Sequence, residues 1–280
     1  MTKYQHAKAL ENLSLGKTTQ YSAQYDASLL QAVPRSLNRQ DLAIQHNLPF
    51  MGEDVWYGYE LSWLNLQGKP MVAVAEFRFP CTSSNIVESK SFKLYLNSFN
   101  QSRFSSWQQV TDRLTDDLSQ CANGAVNVSL YPVDQCTALQ IAPINAQCID
   151  NLDIVIDDYQ LKPSTLNDCQ SANIVEEQLV SHLLKSNCLI TNQPDWASIF
   201  IHYKGNAINH EQLLKYFISF RLHNEFHEQC IERIFTDLQS HCNLQQLTVF
   251  ARYTRRGGLD INPFRSTDEQ QAPNARTLRQ

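Results

Sequence analysis

The apolar residues of this chain change their spacing in the same order twice. In the first half, strand-like runs over 55–66 and 71–79 flank the turn signal Gln67-Gly68-Lys69-Pro70, a pattern that predicts an antiparallel hairpin. Two stretches of helical spacing and an alternating strand follow. The second half has an apolar run, two helical stretches and an alternating strand. The repeated order predicts an α+β chain in which one module has been duplicated.

The predicted elements can be assigned to particular positions. The helical positions of the first half are Phe92, Tyr95, Leu96 and Phe99, then Trp107, Val110, Leu114 and Leu118, and its last strand spans 124–131. In the second half, the apolar run spans 196–203, the helices span 211–222 and 225–238, and the strand alternates through Leu247, Val249, Ala251 and Tyr253. We therefore expect each module to end on a strand that follows its two helices.

These patterns predict two modules joined by a linker. Residues 1–135 form the first predicted module, which includes an extended arm over about the first 50 residues. Residues 136–173 are polar and cysteine-bearing, so they are interpreted as the linker. Residues 174–280 form the second predicted module, and its polar end from Ser266 onward predicts a mobile tail.

Composition argues against several classes of protein. The 280 residues carry a net charge of -5 with a pI ≈ 5.9, which argues against a broad phosphate-binding face and hence against nucleic-acid binding. The N-terminus lacks the apolar core of a signal peptide, and no run approaches the roughly 20 apolar residues of a membrane span. The 8 cysteines include no Cys-x-x-Cys pair, which favours reduced thiols. We expect a cytoplasmic protein with a small-molecule substrate.

The segment 185–196, KSNCLITNQPDW, places Cys188 seven residues before Asp195. Asn-Gln-Pro-Asp is a turn signature, because Pro194 fixes its own φ while Asn and Asp tolerate tight backbone geometry. A loop here would fold Asp195 back towards Cys188, so that a thiol and a carboxylate share one pocket. An isolated cysteine is more often a small buried hydrophobe, and the spacing alone leaves both interpretations open.

The same segment resembles the cysteine motif of the QueF family, the NADPH-dependent 7-cyano-7-deazaguanine reductases of queuosine biosynthesis. A second motif of that family is Glu-(Ser/Leu)-Lys-(Ser/Ala)-X-Lys-(Leu/Tyr)-aromatic, and ESKSFKLY at 88–95 agrees with it at every defined position. The resemblance extends to YDASLLQAVPRSLNR at 25–39 and to His227-Glu228. It therefore covers nearly the whole chain and indicates the long, two-module form.

The resemblance implies a fold and a reaction. The fold is two tandem tunnelling-fold (T-fold) modules, each an antiparallel β-sheet backed by two α-helices, and the two-module form suggests a homodimer. The reaction is reduction of 7-cyano-7-deazaguanine to its 7-aminomethyl product with two NADPH. It would pass through a covalent thioimide on Cys188, with Asp195 transferring the proton, and the family needs no metal.

The resemblance also implies which residues bind the ligands. The substrate residues would be Ile86, Val87, Glu88, His227 and Glu228, and the NADPH residues would be Ser89, Lys90, Arg256 and Gly257. A carboxylate such as Glu228 or Glu88 suits the paired N–H donors at the edge of a guanine-like ring. Phe226, which precedes His227, is interpreted as a lid that would shield an imine from water.

The sequence excludes the common nucleotide-binding loops. None of the 8 glycines forms a G-x-G-x-x-G or P-loop pattern, so the phosphates of NADPH must be held in another way. Lys90 at a predicted helix start offers a point charge beside free backbone N–H groups. Arg255-Arg256-Gly257-Gly258 offers forked donors and a close-approaching backbone. Without the resemblance, the arginine pair would be interpreted as an ordinary solvated loop.

Two functions of other classes stay open. His223, His227 and Cys230 have the spacing of one helical face and could bind zinc, which predicts a hydrolase resembling GTP cyclohydrolase on a related fold. A His-Glu dipeptide on a helix more often lies on the solvent-exposed face and binds nothing. The remaining alternative is a non-catalytic purine- or pterin-binding module.

Overall fold

The computed structural model describes residues 21–45, 47–136, 139–268, 271–274 and 276–280, which form two compact units. Unit 1 contains the described residues up to Asn38, together with Asp54–Gln140 and Arg255–Asp260. Unit 2 contains the described residues of Arg39–Glu53, Ile141–Thr254 and Ile261–Gln280. Each unit is therefore discontinuous in sequence, whereas the predicted modules are continuous. The first 20 residues of the predicted arm lie outside the described part of the chain.

Unit 1 contains an antiparallel hairpin followed by two helices and a strand. Its elements are β1 (Ala32–Pro34), α1 (Ser36–Arg39, which ends in unit 2), β2 (Met51–Leu64, from Asp54 onward), β3 (Pro70–Pro80), β4 (Asn85–Val87), α2 (Ser89–Ser98), α3 (Trp107–Ala122) and β5 (Asn127–Tyr131). The strand order is β5-β3-β2, and β1 pairs with β4. The predicted hairpin, both helices and the following strand are confirmed.

The core of unit 1 lies between its sheet and α2. The ring of Phe92 packs 4.9 Å from that of Phe77 and 5.3 Å from that of Trp56, measured between centroids, and all three side chains are buried. Tyr95 on α2 donates a hydrogen bond to Asp117 on α3 at 2.7 Å, which joins the two helices. The helical spacing of the apolar residues thus identified the face of α2 that packs against the sheet.

Unit 2 has a longer sheet with two helices. Its elements are β6 (Gln147–Cys148), β7 (Gln170–Ser181), β8 (Lys185–Asn187), β9 (Pro194–Ile208), α4 (His210–Ser219), α5 (His227–His241), β10 (Leu244–Tyr253) and β11 (Leu259–Ser266, from Ile261 onward). The strand order is β11-β10-β9-β7-β6, and β8 pairs with the beginning of β9. All of these pairs are antiparallel except β6 with β7. The predicted α+β class is confirmed.

The sequence patterns missed β7 and β11. Most of β7 is exposed or half-buried and polar, so it lacks an apolar alternation, and its start at Gln170 lies inside the predicted linker. β11 is buried throughout although it contains Asp260 and Arg265. Arg265 is accommodated by Glu232, whose carboxylate accepts a hydrogen bond from its Nη2 at 2.8 Å. Burial of paired charges is invisible to a hydrophobicity pattern.

The mobile tail predicted from Ser266 is wrong for the described residues. Ala272 is buried, and its N–H donates to Glu53 Oε1 at 2.8 Å. Gln280 donates from its side chain to the Tyr253 carbonyl at 3.0 Å. The described end of the chain therefore packs within unit 2. No helix in the described ranges is long and apolar enough to cross a membrane.

Candidate active site

Cys188 begins the loop that connects β8 to β9. The two strands pair antiparallel with Ser186 opposite Asp195. The pairing continues for one more step, because the Cys188 N–H donates to the Gln193 carbonyl at 2.8 Å. Asn192 has a φ of 57°, a left-handed conformation that Asn tolerates better than most residues. The loop thus folds Asp195 back towards Cys188, as its turn residues predicted.

Strand alternation, continued one residue past the end of β8, would put the Cys188 and Asp195 side chains on the same face. Ser186 and Asp195 are opposite each other and so point the same way, and Cys188 lies two residues beyond Ser186. Diagonal neighbours of this kind have Cα atoms about 7–8 Å apart. Cys188 is half-buried and Asp195 is only 4% exposed. A small electrophile that reached the thiol would therefore have a buried carboxylate beside it.

Asp195 is paired with the first residue of α5. His227 Nε2 lies 3.2 Å from Asp195 Oδ1. The His227 ring stacks on the Tyr253 ring, with centroids 3.9 Å apart and an interplanar angle of 15°. These contacts fix the imidazole on two sides. His227 thus contacts the Asp195 carboxylate, and its predicted contact with the substrate remains a prediction.

The segment before α5 holds the Cys188 loop. The Asn187 N–H donates to the His223 carbonyl at 2.8 Å, and the Glu225 N–H donates to the Asn187 carbonyl at 3.1 Å. The Asn224 side-chain amide donates to the Cys188 carbonyl at 3.1 Å. Cys188 is therefore tied through the backbone to the residues that lead into His227.

A buried ion pair fixes this segment to α5. Glu225 is 1% exposed, and Arg233 Nη2 donates to its Oε1 at 2.7 Å while His223 Nε2 lies 3.0 Å from its Oε2. Burial favours the protonated carboxyl, but the hydrogen bonds from His223 and Arg233 outweigh it and lower the pKa of Glu225. Glu225 is therefore an ionised anchor.

The zinc arrangement of His223, His227 and Cys230 does not form. Helix α5 begins at His227, so His223 lies outside it, in extended backbone, and pairs with Glu225. Cys230 is fully buried, and burial raises the pKa of its thiol well above the ordinary value. The three residues thus do not share one helical face, and the basis for the zinc hydrolase is wrong.

The other predicted residues of unit 2 lie at the start of α5. Glu228 follows His227 in the first turn and is 3% exposed. Phe226 occupies the N-cap position and is half-buried. A carboxylate at a helix N-terminus is stabilised by the helix dipole. The substrate role of Glu228 and the lid role of Phe226 remain predictions.

In unit 1, Glu88 caps α2. Its carboxylate accepts from the N–H of Lys90 at 2.8 Å and from the N–H of Ser91 at 2.7 Å. The side chain is fully buried, and burial raises its pKa even though these hydrogen bonds oppose the shift. Lys90 was expected to lie beside free backbone N–H groups. This is wrong for the N–H groups of Lys90 and Ser91, because both donate to Glu88.

Ser89 is the exception at this helix start. Among the described residues, neither its N–H nor its hydroxyl makes a hydrogen bond, and the residue is half-buried. Ile86 and Val87, which precede it in β4, are buried and pair with Val33 and Ala32. The substrate contacts predicted for Ile86 and Val87 remain predictions.

The Arg256-Gly257-Gly258 segment of unit 1 forms a tight turn beside α2. Gly257 and Gly258 have φ of 54° and 77°, and the Arg256 N–H donates to the Leu259 carbonyl at 2.8 Å. A Cβ added to Gly257 would lie 3.1 Å from Cδ of Lys93. Lys93 is one helical turn beyond Lys90. The turn and α2 thus bring exposed backbone and basic side chains together, a donor set that fits a phosphate group.

Comparisons with known proteins show the family to which this chain belongs. The family model described as nitrile reductase, 7-cyano-7-deazaguanine-reductase N-term, matches residues 21–130, and the one described as QueF-like protein matches residues 194–272. An NADPH-dependent 7-cyano-7-deazaguanine reductase of Colwellia psychrerythraea is 67% identical over 286 residues, with 100% of each chain covered. This chain belongs to that reductase family.

The reductase family assignment spans the whole chain. Cys188 lies between the two matched segments, but the full-length similarity to the Colwellia reductase includes it. The crystal structure of the archaeosine synthase QueF-Like in the apo form is similar over 37% of this chain and 100% of its own, with 17% identity and a TM-score of 0.30.

Sequence reasoning missed several residues that shape this candidate site. The contact between His227 and Asp195 joins residues distant in the sequence, and no spacing rule predicts it. The roles of Asn224 and Glu225 also depend on tertiary contacts. The only sequence signal for them was their position immediately before His227-Glu228.

Proposed function

We propose that this protein reduces 7-cyano-7-deazaguanine to 7-aminomethyl-7-deazaguanine with two NADPH, in queuosine biosynthesis. The observation that carries the proposal is the β8–β9 hairpin, which folds Asp195 back towards Cys188, while His227 Nε2 lies 3.2 Å from Asp195 Oδ1. The name of the Colwellia relative supports the substrate and the cofactor. We also propose that the two units are T-fold modules, which is supported by the β-sheet and the pair of longer helices in each unit. The homodimer implied by the two-module form of the family remains part of this proposal.

The first chemical step is addition of the Cys188 thiol to the nitrile carbon. A new S–C bond forms, and one π pair of the C≡N bond moves to nitrogen, which takes a proton to give a neutral thioimide. A thiol is a weak nucleophile until a base removes its proton. Asp195 is the proposed base, and it returns the same proton to the nitrile nitrogen. The addition therefore balances without any further reactant.

His227 positions Asp195 for this proton transfer. Its Nε2 lies near one carboxylate oxygen, and the stacked Tyr253 ring holds the imidazole plane. Burial of Asp195 keeps water from competing for the proton.

Glu228 is the proposed acceptor for the paired N–H donors of the deazaguanine ring. Its position immediately after His227 connects ring recognition to the proton-transfer pair. A site built to accept these donors discriminates against analogues that lack them. We retain Ile86, Val87 and Glu88 as proposed substrate residues and Phe226 as the proposed lid.

The NADPH residues are proposed in unit 1. Ser89 offers a backbone N–H and a hydroxyl at the start of α2 that bond to none of the described residues, while Lys90 and Arg256 offer positive charge. Gly257 leaves space that a side chain would fill beside Lys93. When bound, NADPH supplies hydride, and conversion of a nitrile to a primary amine takes two hydrides and two protons. The residues named here bind and orient the cofactor.

The proposed function is tested by following NADPH absorbance with 7-cyano-7-deazaguanine as substrate. We expect two NADPH to be oxidised for each nitrile consumed, with the aminomethyl compound as the product. Cys188→Ala should bind the nitrile but oxidise no NADPH. Binding of the nitrile by wild-type protein without any NADPH oxidation would instead favour a non-catalytic binding module.

A further inference from the structure

A second group of chemically active side chains lies beside the C-terminal end of β7. Cys148, Asp150 and His182 each offer one ligand atom, and these three atoms lie within 4.8 Å of one another. All three residues belong to unit 2. None of them takes part in the reaction proposed above.

The topology explains why the three residues meet. β6 runs parallel to β7 with Cys148 opposite Val180, and the Ile149 N–H donates to the Val180 carbonyl at 3.0 Å. Asp150 and His182 each lie two residues beyond this pair, and the His182 N–H donates to Asp150 Oδ2 at 2.9 Å. The pairing thus brings Cys148, Asp150 and His182 together at the end of β7.

Two of the three side chains are already held by neighbours. The Ser181 hydroxyl donates to Asp150 Oδ1 at 2.7 Å, and the His182 N–H donates to Asp150 Oδ2 at 2.9 Å. His182 Nδ1 lies 2.8 Å from the Ser198 hydroxyl, which is fully buried. Such a partner on one ring nitrogen fixes the tautomer of a metal-binding histidine. Nε2 is then the nitrogen assigned to a ligand.

We propose that Cys148, Asp150 and His182 bind one zinc ion. Thiolate, imidazole and carboxylate are the three donor types that zinc accepts, and three protein ligands leave a fourth position for water. Ligand distances of about 2.0–2.3 Å place tetrahedral donor atoms roughly 3.5 Å apart, so the side chains must close by about 1 Å. Cys148 is exposed and can rotate towards the other two.

The ion would link the segment around β6 to the end of β7 and so stabilise their contact. Arg279 is a neighbouring positive charge, which disfavours the binding of a cation. It donates a hydrogen bond to the His182 carbonyl at 2.9 Å and interacts electrostatically with Asp150. The negative charges of a Cys148 thiolate and Asp150 offset that of the zinc ion. The site is separate from the failed His223, His227 and Cys230 arrangement and implies no hydrolase activity.

The test is titration of the reduced, full-length protein with Co²⁺ as a spectroscopic substitute for zinc. We expect one equivalent to give a thiolate-to-cobalt charge-transfer band and the intense visible bands of tetrahedral cobalt, both abolished by one equivalent of Zn²⁺. Cys148→Ser should lose the charge-transfer band. Ser198→Ala should keep the band but weaken affinity by about 10–100-fold, the effect typical of losing a partner that orients a ligand.

Cys188→Ala is the control, because it removes a different solvent-accessible thiol of unit 2 and should leave the cobalt spectrum unchanged. Far-ultraviolet circular dichroism checks that each variant is folded. The proposal is overturned if folded wild-type protein binds no cobalt or zinc, or if Cys148→Ser retains the charge-transfer band. Neither measurement uses the nitrile or NADPH, so the outcome is independent of the proposed reductase activity.

Discussion

Replacement of Glu225 by alanine should destabilise unit 2 strongly, although Glu225 is not a proposed catalytic residue. The change removes the carboxylate that Arg233 contacts through Nε and Nη2 and that His223 contacts at 3.0 Å. Removing one member of a buried ion pair costs about 3–5 kcal/mol, because the other charge stays buried. The Arg233 side chain retains 16% exposure and recovers some hydration. We therefore expect a loss at the lower end, about 3 kcal/mol.

The stability lost in Glu225→Ala should become smaller as the pH falls. Because the pKa of Glu225 is lowered in the folded protein, its ionised form stabilises the fold above the ordinary carboxyl pKa of about 4.3. This contribution disappears as the pH falls through the lower, folded-state pKa. The difference between wild type and Glu225→Ala should thus shrink on acidification.

The assay is urea unfolding followed by circular dichroism, with hydrogen exchange of the α5 amides to localise the effect. The matched control is Glu176→Ala, which removes a carboxylate 3.2 Å from His202 in a pair whose side chains are 59% and 38% exposed. Such a surface pair contributes about 0–1 kcal/mol. Equal losses in the two variants would refute the reasoning from burial.

Three further predictions concern the two sets of site residues. Asp195→Asn should slow formation of the nitrile adduct by about 10²–10⁴-fold, as expected for a lost proton-transfer group, while equilibrium binding of the nitrile measured by calorimetry persists. Lys90→Ala should raise the Kd for NADPH far more than the Kd for the nitrile. Gly257→Ala should do the same, since a side chain at φ 54° strains the turn. If either variant weakened both ligands equally, that residue would be misplaced in the NADPH site. Burial raises the pKa of Glu88 in the folded protein, so the stability of wild type relative to Glu88→Gln should fall as the pH rises above about 4.3. Urea unfolding at several pH values measures this difference in stability. An increase with pH would contradict the prediction.

The sequence predicted those parts of the fold that local rules determine. The helices α2 and α3 carry apolar residues at helical spacing, and the structure buries Phe92, Tyr95 and Leu114 as expected. The turn before Asp195 was predictable because Pro194 and its neighbours have restricted backbone preferences. These features depend on a few adjacent residues.

Features that depend on distant partners could not be predicted in the same way. β11 is buried although Arg265 appears polar in isolation, because Glu232 neutralises its charge. Lys90 was expected beside free backbone donors, but the preceding Glu88 caps them. His227 was identified through the family resemblance, whereas its contact with Asp195 required the folded chain.

The covalent route through Cys188 is the central claim, and intact-protein mass spectrometry tests it most directly. Incubation with 7-cyano-7-deazaguanine in the absence of NADPH should increase the protein mass by that of one complete nitrile molecule, because addition releases no leaving group. Peptide mapping should locate the increase at Cys188, and Cys188→Ala should show none. An adduct located on another cysteine, or full turnover by Cys188→Ala, would contradict the account.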